Sequence, residues 1–491
     1  MTTQDRDDAP DPLDQGLDHD RNHLPDLLQL ADSAAQEFLA GLDERPAAHD
    51  VPPIEALCLP QRGPGAAAAL RVLRERYEPW ASGSSGPRYF GFVTGGATPA
   101  ALMGDWLAGA WDQNLADSAE SGARQLTLNA LGMVRELLGL SASFGGAIVT
   151  GATTSTLTAL ATARQWVGDH RGVDVSTDGL AALGPVAVLS ATPHSSVFKA
   201  LSVLGLGREC LRTVATLPDR EAVDVDALRV ALAEVEREGI GPAIVVANAG
   251  TVNTCDFDDL AAVAALRDDH RFWLHVDGAF GAVAAASPRF RPLLSGLEQA
   301  DSITVDAHKW LNVPYECAVV LTRRLDLQGR VFASRGPYLP SEVDEGTFVH
   351  LTPENSQRVR ALPLWMTLAA YGREGYAALV ERCFEHAVWL GERIAAHAAF
   401  RLLAPVRLNG VCFTLVDERG EPRSREEVDT FLGKLRSDGT AFLTPTVYRG
   451  VPAARISVTN WRTRAEDVKR TWDAMCDCLP AAAPGPSSAP R

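Results

Sequence analysis

His308, Lys309 and Trp310 follow the apolar run of the segment DSITVDAHKWLNVP. Most lysines are solvated surface charges. Apolar and aromatic neighbours point instead to burial, which disfavours an ammonium ion and turns an amine into a nucleophile toward an aldehyde. Upstream, WLHVDGAFG sets Asp277 at the end of another apolar run. A carboxylate there suits a pyridinium nitrogen, which must keep its proton to draw electrons; an aspartate that only caps the following turn is the plain alternative. A third segment, GGAIVTGATTSTLTAL, passes from a strand through Gly151, Ala152, Thr153 and Thr154 into a helix. Amides at a helix start, with two hydroxyls, suit a phosphate dianion, although small-hydroxyl turns are also common N-caps. The segment fits neither the Walker nor the dinucleotide pattern. A nucleophilic lysine, a carboxylate and a phosphate cradle are together what pyridoxal 5'-phosphate needs, and they predict it as the cofactor.

His194, in ATPHSSVFKA, also ends a predicted strand. Its imidazole suits stacking on the cofactor ring while polarising a substrate carboxylate; a capping or core histidine is the competing reading. Ser195, Ser196 and Lys199 invite a hydrolase or a second catalytic lysine, but no nucleophile-elbow pattern surrounds them.

The elements that must position these residues alternate along the chain. Ala147–Val149, Val186–Ser190, Ala243–Ala247, Phe272–Val276 and Ala318–Leu321 read as strands. Ser155–Gln165, Val225–Glu238 and Asp258–Asp268 read as crossover helices between them, which predicts an α/β unit with a mainly parallel central sheet. From about Val380 the pattern changes to helix Glu381–Ala396, strand Val411–Val416, helix Arg425–Arg436, strand Ala454–Val458 and a last helix from Arg464, a smaller α+β unit. The expected organisation is an acidic disordered tail at 1–23, a mainly helical segment at 24–84, a large cofactor-binding unit at 85–378, a small C-terminal unit at 379–479 and a disordered tail at 480–491.

Composition narrows the function classes. With 62 acidic against 46 basic residues, a formal charge of -16 repels nucleic-acid phosphates and anionic membrane surfaces. No apolar run reaches the roughly 20 residues of a membrane helix, and the polar N-terminus lacks a signal peptide's pattern. The eight cysteines are spread thinly, and Cys476 and Cys478 lack the second pair a zinc site needs. A cytoplasmic protein with reduced thiols, no metal site, no nucleic-acid partner and no membrane partner is expected.

The GATTST turn, HSSVFKA, GTVNTCDFDDL, HVDGAFG and HKW, in this order along the chain, resemble the group II pyridoxal-phosphate decarboxylases, the family of aromatic-amino-acid and glutamate decarboxylases. The resemblance runs from about Pro87 to about Gly375. It implies the fold type I of pyridoxal-phosphate-dependent transferases, like aspartate aminotransferase, and a homodimer with active sites at the interface. It implies that Lys309 holds the cofactor as a Schiff base, that Asp277 partners the ring nitrogen, and that His194 and Ala279 flank the ring. Ala152 and Thr153 fall at phosphate-turn positions, Thr251 at a cofactor-contacting position, and His308 at the phosphate-contacting position before the lysine. Asp306 stands where some relatives have asparagine. Tyr338, in RGPYLPSE, matches the loop tyrosine that returns a proton to the substrate carbon; in the family this loop reaches the neighbouring subunit's site, which implies action in trans.

Relatives that form aldehydes replace that tyrosine with phenylalanine or the stacking histidine with asparagine; both are retained here, which favours decarboxylation of an L-amino acid to the amine and carbon dioxide. An aminotransferase or aldehyde-forming oxidative deaminase on the same fold is the alternative, followed by a noncatalytic cofactor-binding protein. In PRYFGFVTGG, Phe92, Val93 and Thr94 align with a substrate pocket, and Arg88 replaces a frequent histidine. Asn114 is another candidate pocket residue, or a structural turn. Phe92 and Val93 offer no cation for a side-chain carboxylate, so an aromatic or other apolar amino acid is the expected substrate.

Overall fold

The computed structural model describes residues 16–115, 121–334 and 344–479. Seven strands form the central sheet: β1 (Gly145–Val149), β2 (Val188–Ser190), β3 (Leu211–Thr213), β4 (Ala243–Asn248), β5 (Phe272–Asp277), β6 (Ser302–Val305) and β7 (Ala318–Thr322). Their order is β1-β7-β6-β5-β4-β2-β3. β7 runs antiparallel to both neighbours, whereas the other pairings are parallel. Every residue of β1, β2 and β4–β7 is buried, so these strands read as continuous apolar runs rather than alternating ones.

Strand alternation sends neighbouring side chains to opposite faces. On β4, Ile244 and Val246 join one apolar cluster with Leu160, Val197, Leu201 and Trp273, while Val245 and Ala247 join the other with Val134, Leu274 and Leu368. Helices before, between and after these strands include α1 (Leu24–Ala40), α2 (Pro99–Trp111), α3 (Ala123–Leu138), α4 (Ala152–His170), α5 (Ser195–Val203), α6 (Val225–Arg237) and α7 (Ala361–Ala396). α4 and α5 cover the first face, and α3 and α7 the second. Gly372, at φ 56°, breaks α7 into two stretches.

A second sheet, β8 (Phe400–Leu402), β9 (Gly410–Leu415), β10 (Thr444–Tyr448) and β11 (Val451–Ser457), is antiparallel in the order β10-β11-β9-β8. Helices α8 (Arg425–Asp438) and α9 (Ala465–Asp477) accompany it. α8 starts at a capping box between Ser424 and Glu427, which satisfies two otherwise orphaned amides.

Two expectations shift. Within the segment expected to be a disordered tail, Leu17–Asn22 is helical. The segment expected to be mainly helical holds α1 and Ala66–Arg76, but residues 46–65 form no regular element. Five prolines in that stretch remove amide donors and hold φ away from helix continuation.

Candidate active site

Parallel strands put their C-terminal ends on one edge of a sheet, where loops can converge. Asp277 is the last residue of β5, His194 follows β2, Gly151 follows β1, Thr251 follows β4, and Lys309 lies in the turn after β6. The loops enclose a cavity of about 440 Å³ lined by Lys309, Asp277, His194, Ala152, Thr153, Thr251, Ala279, His308, Phe92 and Val93. Asp306, Asn248 and Arg455 also face it.

Close packing fixes the turn that carries the lysine. Trp310 is fully buried beneath it. The Gly95 amide bonds the His308 carbonyl at 3.3 Å, and a Cβ on Gly95 would lie 1.8 Å from the Lys309 carbonyl oxygen. Only glycine lets the two backbones approach so closely. Asn312 ties the turn to the C-terminal sheet: its amide donates to the Trp310 and Thr459 carbonyls, both at 3.0 Å, and its oxygen accepts the Trp461 amide at 2.8 Å.

Lys309 Nζ lies 3.6 Å from Asp306 Oδ2, and that oxygen also accepts the Ala152 amide at 3.4 Å. Asp277 Oδ1 accepts the Ala279 amide at 3.1 Å; among the described residues no donor bonds Oδ2, which remains for a ligand. His194 caps α5, its Nδ1 accepting the Ser196 amide at 3.2 Å with Ser196 Oγ 2.9 Å away. Because a backbone amide can only donate, Nδ1 carries the lone pair and Nε2 the proton. By surface area His194 is exposed at the cavity mouth, yet crowding by protein, opposed by Asp277 and reinforced by Lys309 and Arg455, holds its pKa below 6.5. The cap favours the neutral ring on geometry alone.

His308 packs against Tyr315 with ring centroids 4.2 Å apart and the rings tilted by 34°, and burial holds it down at about 4, so it is neutral. Its 3.0 Å approach to Asp306 is therefore not an ion pair. The Thr251 hydroxyl donates to Glu221 Oε2 at 2.5 Å, which commits its proton away from a ligand.

The aligned pocket segment divides. Phe92 (φ 55°) and Val93 (φ 61°) both adopt left-handed backbone and line the cavity, a strained arrangement for a β-branched residue. The Thr94 hydroxyl meets the Tyr315 hydroxyl at 3.2 Å. Arg88 lies outside the cavity: it is 3% exposed, pairs with Asp467 at 3.0 Å and donates to the Asp43 and Thr440 carbonyls. Asn114 Oδ1 accepts the Gln357 amide at 3.4 Å, a loop-to-loop contact. Lys199 and Ser195 are exposed and do not line the cavity. Tyr338 lies outside the described residues.

Arg455 is the residue that sequence reasoning missed. It projects from β11, is 8% exposed, donates through Nη1 to the Val252 carbonyl at 2.9 Å, and leaves Nε without a partner. A buried, half-satisfied guanidinium is costly unless an anion completes it. The signal was a lone charge inside the apolar run AARISV.

The arrangement suits pyridoxal phosphate. The N-cap Gly151 has no side chain to cap α4, so its first amides, of which Ala152's reaches Asp306 Oδ2 at 3.4 Å, lie at the cavity for a phosphate; a lysine amine and a carboxylate oxygen stand ready for the aldehyde and the ring nitrogen.

Comparison with known proteins agrees. Residues 72–416 match the family described as "Pyridoxal-dependent decarboxylase conserved domain". The chain is 30% identical over 393 residues to an aromatic-L-amino-acid decarboxylase of Bacillus atrophaeus, covering 78% of this chain and 79% of that protein. It is 31% identical over 423 residues to an L-2,4-diaminobutyrate decarboxylase of Rhizobium meliloti, covering 85% and 83%. Among solved structures, the Oryza sativa "TDC with PLP and tryptamine" superposes with a TM-score of 0.85 at 23% identity, over 93% of this chain and 97% of that one.

Proposed function

Because the chain belongs to the pyridoxal-dependent decarboxylase family and is a pyridoxal-phosphate-dependent amino-acid decarboxylase, we propose that it converts an aromatic or other apolar L-amino acid to its amine, with the substrate's α-carboxylate held by Arg455. The observation that carries this reading is the buried guanidinium of Arg455 in the cavity that also holds Lys309, Asp277 and His194.

Bound pyridoxal phosphate supplies an electron sink for the bond broken at the substrate's α-carbon. The chain's own residues do the rest. Lys309 holds the cofactor covalently, the first amides of α4 at Ala152 and Thr153 hold its phosphate, and Asp277 Oδ2 keeps a proton on the ring nitrogen. His194 and Ala279 flank the ring, with His194 Nε2–H available as a donor to the substrate carboxylate. Arg455 fixes that carboxylate and so sets which bond is oriented for cleavage. Tyr338 returns a proton to the α-carbon. Thr251, His308 and Thr94 support the walls, and the apolar surfaces of Phe92 and Val93 meet the substrate side chain. Arg455 is the one cation besides Lys309 among the described residues lining the cavity. With it assigned to the α-carboxylate, none remains for an acidic side chain.

A homodimer is supported by an apolar strip on α2, where Met103, Trp106, Leu107 and Trp111 are exposed, and by Leu24 and Leu28 on α1. Phe92 is 61% exposed although it lines the cavity, which leaves a wall for a second subunit to complete. Among the described residues no helix is long and apolar enough to cross a membrane, in keeping with the cytoplasmic placement proposed here. Units at 85–378 and 379–479, with an N-terminal helical segment at 24–84, are the proposed organisation.

Product analysis by mass spectrometry, with cofactor-loaded protein and a panel of amino acids, tests the function. An amine from an aromatic or aliphatic substrate is expected. An amine from glutamate or aspartate alone would overturn the assignment of Arg455 to the α-carboxylate.

A further inference from the structure

Asp306 stands awkwardly for a phosphate site. It is 2% exposed, and its Oδ2 occupies the Ala152 amide at 3.4 Å, one of the amides a phosphate needs. Its Oδ1 has no hydrogen-bond partner: His308 Nδ1 is 3.0 Å away but off the line of a hydrogen bond. The groups around it offer little compensation. His308 is neutral, Asp277 is a second carboxyl group, and Tyr315 and Cys317 are neutral neighbours whose ionisation Asp306 itself opposes. Among the described residues Lys309, 3.6 Å away, is the one cation at this carboxylate, and its amine is the group committed to the cofactor. Burial already pushes Asp306 up to about 6 in the unloaded protein, even with Lys309 beside it.

A phosphate ester carries nearly two negative charges at neutral pH. Delivered to the start of α4, it meets a buried carboxylate that shares its donor. Two anions on one amide in a dry site do not both stay charged; the acid with the higher pKa takes a proton. Protonated, the same side chain gains an O–H donor and ceases to repel.

We infer that Asp306 takes up a proton from solvent when pyridoxal phosphate binds, so that the loaded site holds it as a neutral carboxylic acid and hydrogen-bond donor. This rests on the placement of the phosphate at Ala152 and Thr153. Cofactor affinity then depends on pH through Asp306: binding favours the protonated acid, so affinity falls as pH rises above the unloaded value of about 6, by up to about tenfold per pH unit until the loaded value is passed. The ligand's own phosphate ionisation, near about 6, contributes alike to wild type and to a variant lacking the carboxyl group, and cancels between them.

Calorimetric titration of the unloaded protein with pyridoxal phosphate at about pH 7.5, in buffers of different ionisation enthalpy, counts the protons taken up. Wild type is expected to take up about one more proton than Asp306→Asn, and its log Kd is expected to climb more steeply with pH. Equal proton uptake in the two proteins overturns the inference. Visible absorbance of the bound cofactor in both keeps this outcome separate from a failure to bind at all. A second measurement needs no variant: infrared difference spectra of wild type labelled with carboxyl-13C aspartate are expected to gain a protonated-carboxyl band on loading. Absence of that band also overturns the inference.

Discussion

Replacing Arg455 with methionine separates what this residue costs the empty protein from what it does for the substrate. In the unloaded structure the guanidinium is 8% exposed, with Nε unpaired and a single bond from Nη1 to the Val252 carbonyl. Burial pulls its pKa below the ordinary arginine value, the sign of a charge removed from water without a full partner. A methionine of similar reach relieves that desolvation, worth several kcal/mol, and gives up the Val252 bond, worth about 1.5–3 kcal/mol for a charged donor. The net expectation is an unloaded protein more stable by about 1–3 kcal/mol. For the substrate the sign reverses, because removing one partner of a desolvated ion pair costs about 3–4 kcal/mol, or a fall in kcat/KM of roughly two to three orders of magnitude. Urea unfolding reads the first effect and steady-state amine production the second, with visible absorbance reporting that the cofactor is in place. Guanidinium ion added to the Arg455→Met enzyme is expected to restore part of the rate. If the variant keeps kcat/KM within about threefold of wild type, the carboxylate-anchoring role is wrong.

Three further outcomes are expected. Tyr338→Phe keeps the cofactor but diverts product from amine toward aldehyde; unchanged amine output would remove Tyr338 as proton donor. Gly95→Ala places a Cβ 1.8 Å from the Lys309 carbonyl oxygen, where two backbones must separate, so we expect a loss of stability of more than about 3 kcal/mol or loss of cofactor absorbance. His275 is fully buried and held at about 4 against an unfolded value of 6.5. The unfolded chain therefore binds its proton first as pH falls, and this residue removes stability at up to about 1.4 kcal/mol per pH unit in that window. In His275→Gln, the slope of unfolding free energy against pH between about pH 6 and 4.5 is expected to flatten by about one proton; an unchanged slope refutes this.

The residues legible in the sequence were those that punctuate apolar strands. Lys309 and Asp277 stand out because β5 and β6 are buried on both faces, so a charge at their ends interrupts an otherwise apolar run. His194 and Ala152 were legible as residues at strand-to-helix turns, because backbone geometry there is local. Contacts that depend on distant strands were not. Asp306 reaches the Ala152 amide because β1 and β6 both flank β7, and Arg455 comes from another sheet altogether. Arg88 shows the reverse error: the segment aligns with a pocket, but the guanidinium turns to Asp467 on α9, which no local pattern announces. Short or edge elements also escaped. β3 and β8 have three residues each, and β10, TPTVY, carries a proline that masks it as a strand.

The bonds of Asn312 bear on how freely this chain can be divided. The same side chain holds the turn of Lys309 and the backbone at Thr459 and Trp461, just after the strand that bears Arg455. The C-terminal sheet is thus not a detachable lid over a self-sufficient cofactor module. A chimera that swaps this sheet for a relative's must carry a compatible seam at Asn312, or it exchanges the substrate anchor at the expense of the lysine's footing. Recombination within such a protein is constrained at the seam more than at either part.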